Sequence, residues 1–113
     1  MHHVSGTARP HEIVRRYLDL LPSGSYLVLS QFCDPQDDGQ GSQLARFVEG
    51  VFARSGLGPV VFRPRAEIEA FFEGTDLVEP GVTRVRDWWP DGPLIAQAGP
   101  VDDMIIGGVA RKP

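Results

Sequence analysis

The segment Leu21–Ser30, LPSGSYLVLS, most constrains what this chain can fold into. It follows a stretch with helical periodicity and opens an extended one. Leu27, Val28 and Leu29 form an unbroken apolar run, as expected of a strand covered on both faces in a parallel sheet. Pro22, Ser23 and Gly24 supply the turn from helix to strand. Only about two dozen residues precede this strand, whereas a doubly wound sheet has several strands before such a point. The expectation is a chain equivalent to the back half of a larger α/β domain.

The periodicity on either side fills in that expectation. Ile13, Val14, Tyr17, Leu18 and Leu21 share one face of a helix predicted over Pro10–Leu21, with Thr7 the better capping residue and Pro10 in the first turn. The strand is expected over Ser25–Ser30, followed by a long polar loop from Gln31 to Ser42. Asp34, Asp37 and Asp38 in that loop suggest a calcium loop, but the twelfth position from Asp34 is Ala45, not glutamate. Ser42 is expected to cap a second helix carrying Leu44, Phe47, Val48, Val51 and Phe52, stopped at Ser55-Gly56. A short extended piece at Val60–Phe62 precedes a third helix over Arg65–Glu73, ended by Gly74. Val82–Trp89 alternates as a strand would, residues 91–100 are rich in Gly and Pro and expected to be irregular, and Met104–Arg111 closes the chain as a strand.

The chain has 113 residues, enough for one domain or part of one. A compact fold of this size buries roughly two-thirds of its unfolded surface, so an autonomous core is attainable but not generous. A net charge of -4 gives no general attraction to nucleic acid or anionic membrane. No apolar run approaches the roughly 18 residues of a membrane span, and no signal peptide is visible. The single cysteine, Cys33, cannot form an internal disulfide, which suits a cytoplasmic setting.

Four stretches together carry a family resemblance: MHHV at 1–4, IVRRYLDLLPSGSYLVLS at 13–30, FRPRAEIEAFFEGTDLVEPGVTRVRDWWPD at 62–91 and GGVARKP at 107–113. In their order and spacing the chain resembles an actinobacterial S-adenosylmethionine-dependent methyltransferase family once listed as a domain of unknown function. Residues 31–61 match it loosely. The resemblance implies the C-terminal half of a class I, Rossmann-like fold: about three strands ending in an antiparallel pair, flanked by three helices, as one partial domain over 1–113. Residues 1–4 match the segment leaving the family's fourth strand, 25–30 the fifth, 77–89 the sixth and 104–111 the seventh. Met1 stands where family members have an interior apolar residue, so a start site placed too late is expected.

The same resemblance implies S-adenosylmethionine as cofactor and a small-molecule methyl acceptor. The family's glycine-rich loop after the first strand, its acidic residue after the second and its adenine-holding region after the third have no counterpart here. Candidate cofactor or acceptor contacts are His2 and His3, matching the family's paired histidines, with Gln31 and Phe32 at the same rim. Asp34 is a weaker candidate there. A histidine at this place is a candidate general base. Cys33 is expected to be inert, and Trp88-Trp89 to pack against a helix rather than stack on a ligand. Arg63, Arg65, Arg84 and Arg86 are expected on a solvated face. The competing expectation is a non-catalytic module that dimerises, or completes a partner's sheet, through the unpaired edge of Ser25–Ser30.

Overall fold

The computed structural model describes residues 1–36, 39–93 and 99–113. Helix α1 spans Pro10–Leu20 and leads through a turn into strand β1, Tyr26–Asp34. Helix α2 is Gln40–Ala53, strand β2 is Arg63–Pro64 and helix α3 is Arg65–Ala70. Two-residue strands β3, Asp76–Leu77, and β4, Thr83–Arg84, precede the closing strand β5, Ile105–Arg111. The sheet order is β2-β1-β5-β3, with β4 also on β5. β5 runs antiparallel to β1, β3 and β4, and β2 runs parallel to β1. The expected mixed α/β sheet with an antiparallel ending is therefore present. It contains five strands rather than about three, because three of them are only two residues long.

Several local expectations need correction. β1 continues four residues beyond Ser30, so Gln31 and Phe32 lie within the strand and not in a loop. The alternation of buried and exposed residues simply carries on to Asp34. α1 is entered through Arg9 in the left-handed conformation with no side-chain cap, so Thr7 does not cap it. α2 begins at Gln40 after Gly39, so Ser42 lies inside its first turn. α2 ends at Ala53, and the left-handed glycine of the following turn is Gly58, not Gly56. The extended Val60–Phe62 piece pairs as a strand only from Arg63. α3 stops at Ala70, and turns continue to the left-handed Gly74. Val82–Trp89 contributes only Thr83–Arg84 as strand before a 3-10 turn, Val85–Asp87. β5 starts at Ile105, one residue after the buried Met104. Asp37, Asp38 and residues 94–98 lie outside the described residues.

Two apolar clusters lie around β1. Leu29 and Cys33 point into the larger one with Val14, Ile68, Phe71 and Ile106, so α1 and α3 cover that face. Phe32 points the other way, against a cluster of Ala45, Val60, Phe62 and Met104 that α2 helps to build. The second cluster covers only the carboxyl end of β1. Val28 is 74% exposed and Tyr26 58%. The expectation of a strand covered on both faces is thus wrong for its first half. An unbroken apolar run shows that both faces avoid water, not that this chain covers both.

The β1–β5 pairing depends on glycine at one point. A Cβ on Gly107 would stand 2.7 Å from the Leu29 carbonyl oxygen, closer than packing allows. The pair is closed at its other end by Lys112, whose N–H donates to Ser25 O at 2.7 Å and whose Nζ donates to Leu21 O at 2.7 Å, satisfying a carbonyl at the end of α1.

Candidate functional site at the carboxyl end of β1

The segment Met1–Val4 lies beside the carboxyl end of β1 and is held there by a buried arginine. Arg63 is 2% exposed and Gln31 0%. Arg63 Nη1 donates to Gln31 Oε1 at 2.7 Å and to Met1 O at 3.1 Å, and its Nη2 donates to Val4 O. Gln31 Nε2 donates to Val61 O at 2.6 Å and to Phe32 O at 3.1 Å. Every polar atom of the Gln31 amide is therefore satisfied, as a buried amide requires. Burial lowers the pKa of Arg63, with Glu67 acting against the shift. The expectation that Arg63 sits on a solvated face fails. Its neighbours Phe62 and Pro64 lie against the sheet, and β2 pairs Arg63 directly with Cys33.

The two histidines are fixed in opposite senses. The Phe32 N–H donates to His2 Nδ1 at 3.2 Å. Nδ1 is then unprotonated, and a neutral ring carries its proton on Nε2. His2 stacks on Phe32 with centroids 4.2 Å apart, and Phe32 stacks on Phe62 at 4.7 Å. Burial, and then the positive charges of the Met1 amine, His3 and Arg63, push the His2 pKa below 6.5. His3 Nδ1 instead donates to the Pro59 carbonyl at 3.0 Å, because a carbonyl can only accept. In the neutral ring this leaves the Nε2 lone pair free, on an exposed residue. His2 offers a donor and His3 a proton acceptor. Only the second arrangement suits general-base chemistry. The structure brings together His2, Gln31 and Phe32, with His3 next in the chain and edge-on to Phe52 at 6.3 Å.

Asp34 ends β1 and anchors helix α2. Burial opposes its charged form, but hydrogen bonds from Ser42 Oγ and the Gln36 N–H, and then the Arg46 guanidinium, hold its pKa below the ordinary 3.8. The distances are 2.7 Å from Ser42, 2.9 Å from Gln36 N and 2.9 Å from Arg46. The Cys33 thiol is buried and its pKa is raised, chiefly by burial, as befits an inert thiol. Arg65, Arg84 and Arg86 pair with Glu69, Asp87 and Asp103. The tryptophans do not seat against a helix. Trp89 is 67% exposed, its indole N–H donating to Glu79 O, while Trp88 and Val85 wall a cleft of about 400 Å³ over the β1–β5 pair.

Among the described residues, no glycine-bearing turn has the G-x-G-x-x-G spacing of a dinucleotide-type loop. The one strand–turn–helix step with glycines is β1 to α2, carrying Gly39-Gln40-Gly41-Ser42-Gln43-Leu44, with leucine where the third glycine of a dinucleotide-type turn would stand. The Asp34 carboxylate engages the first turn of α2 by accepting from Ser42 Oγ. Among the described residues no group of His, Cys, Asp or Glu is placed to hold a metal ion, and no helix is long and apolar enough to cross a membrane.

Comparison with known proteins places this arrangement. A family model described as S-adenosyl methyltransferase matches residues 1–113. A crystal structure of a provisionally assigned methyltransferase from Thermobifida fusca YX is similar, with 33% identity and a TM-score of 0.75 over 98% of this chain. A DUF574 family protein from Streptomyces avermitilis MA-4680 is similar, with 38% identity and a TM-score of 0.77 over 99% of this chain. A search of curated proteins found no match. The chain spans 40% and 41% of the lengths of those two solved structures.

Proposed function

Starting from the fact that the chain belongs to the S-adenosyl methyltransferase family, we propose that it is the rear part of a methyltransferase acting on a small-molecule acceptor, active when the remainder of the fold is present. The observation that carries this reading is the pairing of a family match over every residue with coverage of only about two fifths of the solved relatives. S-adenosylmethionine, when bound, supplies an electrophilic methyl group. Methyl transfer depends mainly on holding the reacting atoms in line, and one rim cannot do that. The cofactor's cradle is assigned to the portion beyond this chain. A cytoplasmic setting suits the single reduced cysteine.

In this reading the chain contributes the acceptor side of the site. Arg63 and Gln31 hold Met1–Val4 in place and thereby orient both imidazoles. His3, turned by the Pro59 carbonyl, takes a proton at Nε2 from the acceptor. His2 presents its Nε2–H as a hydrogen-bond donor beside it.

Calorimetric titration of S-adenosylmethionine tests the division of labour. The 113-residue chain alone is expected to show no binding at micromolar concentration, whereas micromolar binding would contradict a cradle lying elsewhere. In the reconstituted enzyme, His3→Gln is expected to lower kcat by about 10²-fold or more, with an unchanged fold by circular dichroism. An undiminished kcat would remove His3 from the chemistry.

A further inference from the structure

Residues 5–9 are all exposed, and among the described residues their hydrogen bonds stay within the stretch or reach only the first turn of α1. Nothing along them ties the two rim histidines to the sheet. The place of Met1–Val4 is therefore set by its own contacts and by where α1 begins. α1 begins at Arg9 in the left-handed conformation, with no side-chain cap. Pro10 is buried there, and His11 supplies the polar tie. Its Nε2–H donates to the Glu67 carbonyl of α3 at 2.9 Å, since a carbonyl can only accept. Its ring lies on Phe71 with 4.2 Å between centroids and 10° between planes. His11 is exposed while Phe71 is only 3% exposed, so the imidazole forms part of the cover over the phenyl ring.

The same phenyl ring meets Arg63. The guanidinium carbon stands 5.8 Å from the Phe71 centroid, within reach of a cation–π contact, which is strongest where water is excluded. Arg63 makes the outermost ties of the histidine segment, to Met1 O and Val4 O, and the Val61 N–H holds His2 O between them. Glu67, whose carbonyl receives His11, also carries the charge that favours the ionised guanidinium. A buried guanidinium cannot exchange a displaced partner for water without cost, so a shift of Phe71 passes on to Arg63. From this contiguous stack we infer that His11 is a positioning residue for the rim histidines: through Phe71 it fixes the Arg63 guanidinium, and through Arg63 the two imidazoles. The ring carries the effect, and the hydrogen bond to Glu67 sets the plane in which the ring lies. The inference deepens the proposed function and, for its effect on turnover, rests on the reading of His3 as the proton acceptor.

The test reads the ring tautomers, which are opposite in the native fold. His3 carries its proton on Nδ1, the form a free imidazole disfavours, so that form marks the native position of the segment. Nitrogen nuclear magnetic resonance of the rings follows it in the 113-residue chain. His11→Ala is expected to shift His3 toward the Nε2–H form. In the reconstituted enzyme it is expected to lower kcat about 10- to 100-fold, with the KM for S-adenosylmethionine unchanged. His11→Gln, which keeps a donor but no ring, is expected to behave in the same way. His11→Phe, which keeps a ring on Phe71 but no donor, is expected to retain the native His3 tautomer and most of kcat. Leu18→Ala, further along α1 and packed on the larger core, is the destabilised control, expected to lower the urea midpoint and leave both tautomers in place. Native tautomers in His11→Ala and His11→Gln overturn the proposal, and so does their loss in His11→Phe. Leu18→Ala losing them to the same extent also overturns it, because His11 is then only a stability contact. A displaced His3 tautomer with undiminished kcat supports the positioning role and removes His3 from the chemistry, so the two readings fail separately.

Discussion

The buried Arg63 shows how much of the rim depends on one side chain. Its guanidinium donates to a buried amide oxygen and to two carbonyls of the N-terminal segment. Arg63→Met keeps much of the volume but leaves the Gln31 oxygen unpaired, and is expected to cost about 2–4 kcal/mol, read as a lower urea midpoint. His2 gives a pH signature. Its folded pKa lies below 6.5, so the unfolded chain binds a proton more readily and stability rises with pH between the two values. The His2 contribution is complete above about pH 6.5 and is lost as the pH falls toward the depressed folded value. A His2 ring titration followed by nuclear magnetic resonance is expected to have its midpoint below 6.5, and His2→Gln to flatten the stability profile over that window. Sequence alone singled out His2 and His3 through a resemblance, and Gln31 and Phe32 through their place just after Ser30 at the same rim. It did not reveal Arg63, because a charged residue beside apolar ones carries no mark of burial until its hydrogen-bonding partners, from Met1 to Gln31, are brought together by the fold.

Among the elements, β1 and β5 form the spine, and two contacts govern them. Gly107→Ala places a methyl group against the Leu29 carbonyl. It is expected to destabilise by about 1–3 kcal/mol, with hydrogen exchange accelerating first along the β1–β5 pair. Asp34 ties the end of β1 to α2 through Ser42 and Arg46. Asp34→Ala is expected to cost about 1–3 kcal/mol and to increase exchange in the first turn of α2. The carboxylate's folded pKa is depressed, so its contribution is complete above about pH 4 and disappears as the pH falls through the folded value. The helices were legible from apolar spacing, since α1 and α2 follow the 3.6-residue period. Their ends were less so. α2 starts at Gln40, and Ser42 in its first turn donates to Asp34 at the end of β1, a contact between elements that spacing alone does not reveal. Val82–Trp89 read as a strand from alternation, but only two residues pair before the chain turns into a 3-10 helix. Alternation marks which side chains avoid water, and pairing needs a neighbour of sufficient length.

At the scale of the whole molecule, the chain has two small cores on opposite sides of one sheet, together with exposed apolar surface that it does not cover itself. Such surface is costly in water, at about 25 cal/mol per Å². Tyr17, Leu20, Tyr26 and Val28 are among the large apolar side chains that the chain leaves exposed, and Val28→Ser is expected to raise its solubility at no cost in cooperative unfolding. The overall class was legible because a helix, an apolar strand and a closing strand in that order suit a mixed α/β sheet, which is what β1 and β5 build. Which side stayed open was not, since Leu27, Val28 and Leu29 are equally apolar and only the packing of α1 and α3 selects between them.

Cys33 is the sole thiol, and it lies inside the larger core between β1 and α3. Cys33 is 9% exposed and lines a shallow cleft beside Arg65 and Ile106, so maleimide alkylation is expected to be slow in the native state and to quicken as the interior opens, and its rate follows that opening. The native protein thus contains a built-in reporter, and the pace at which it is modified would show whether any added polypeptide tightens the interior or merely rests on the surface.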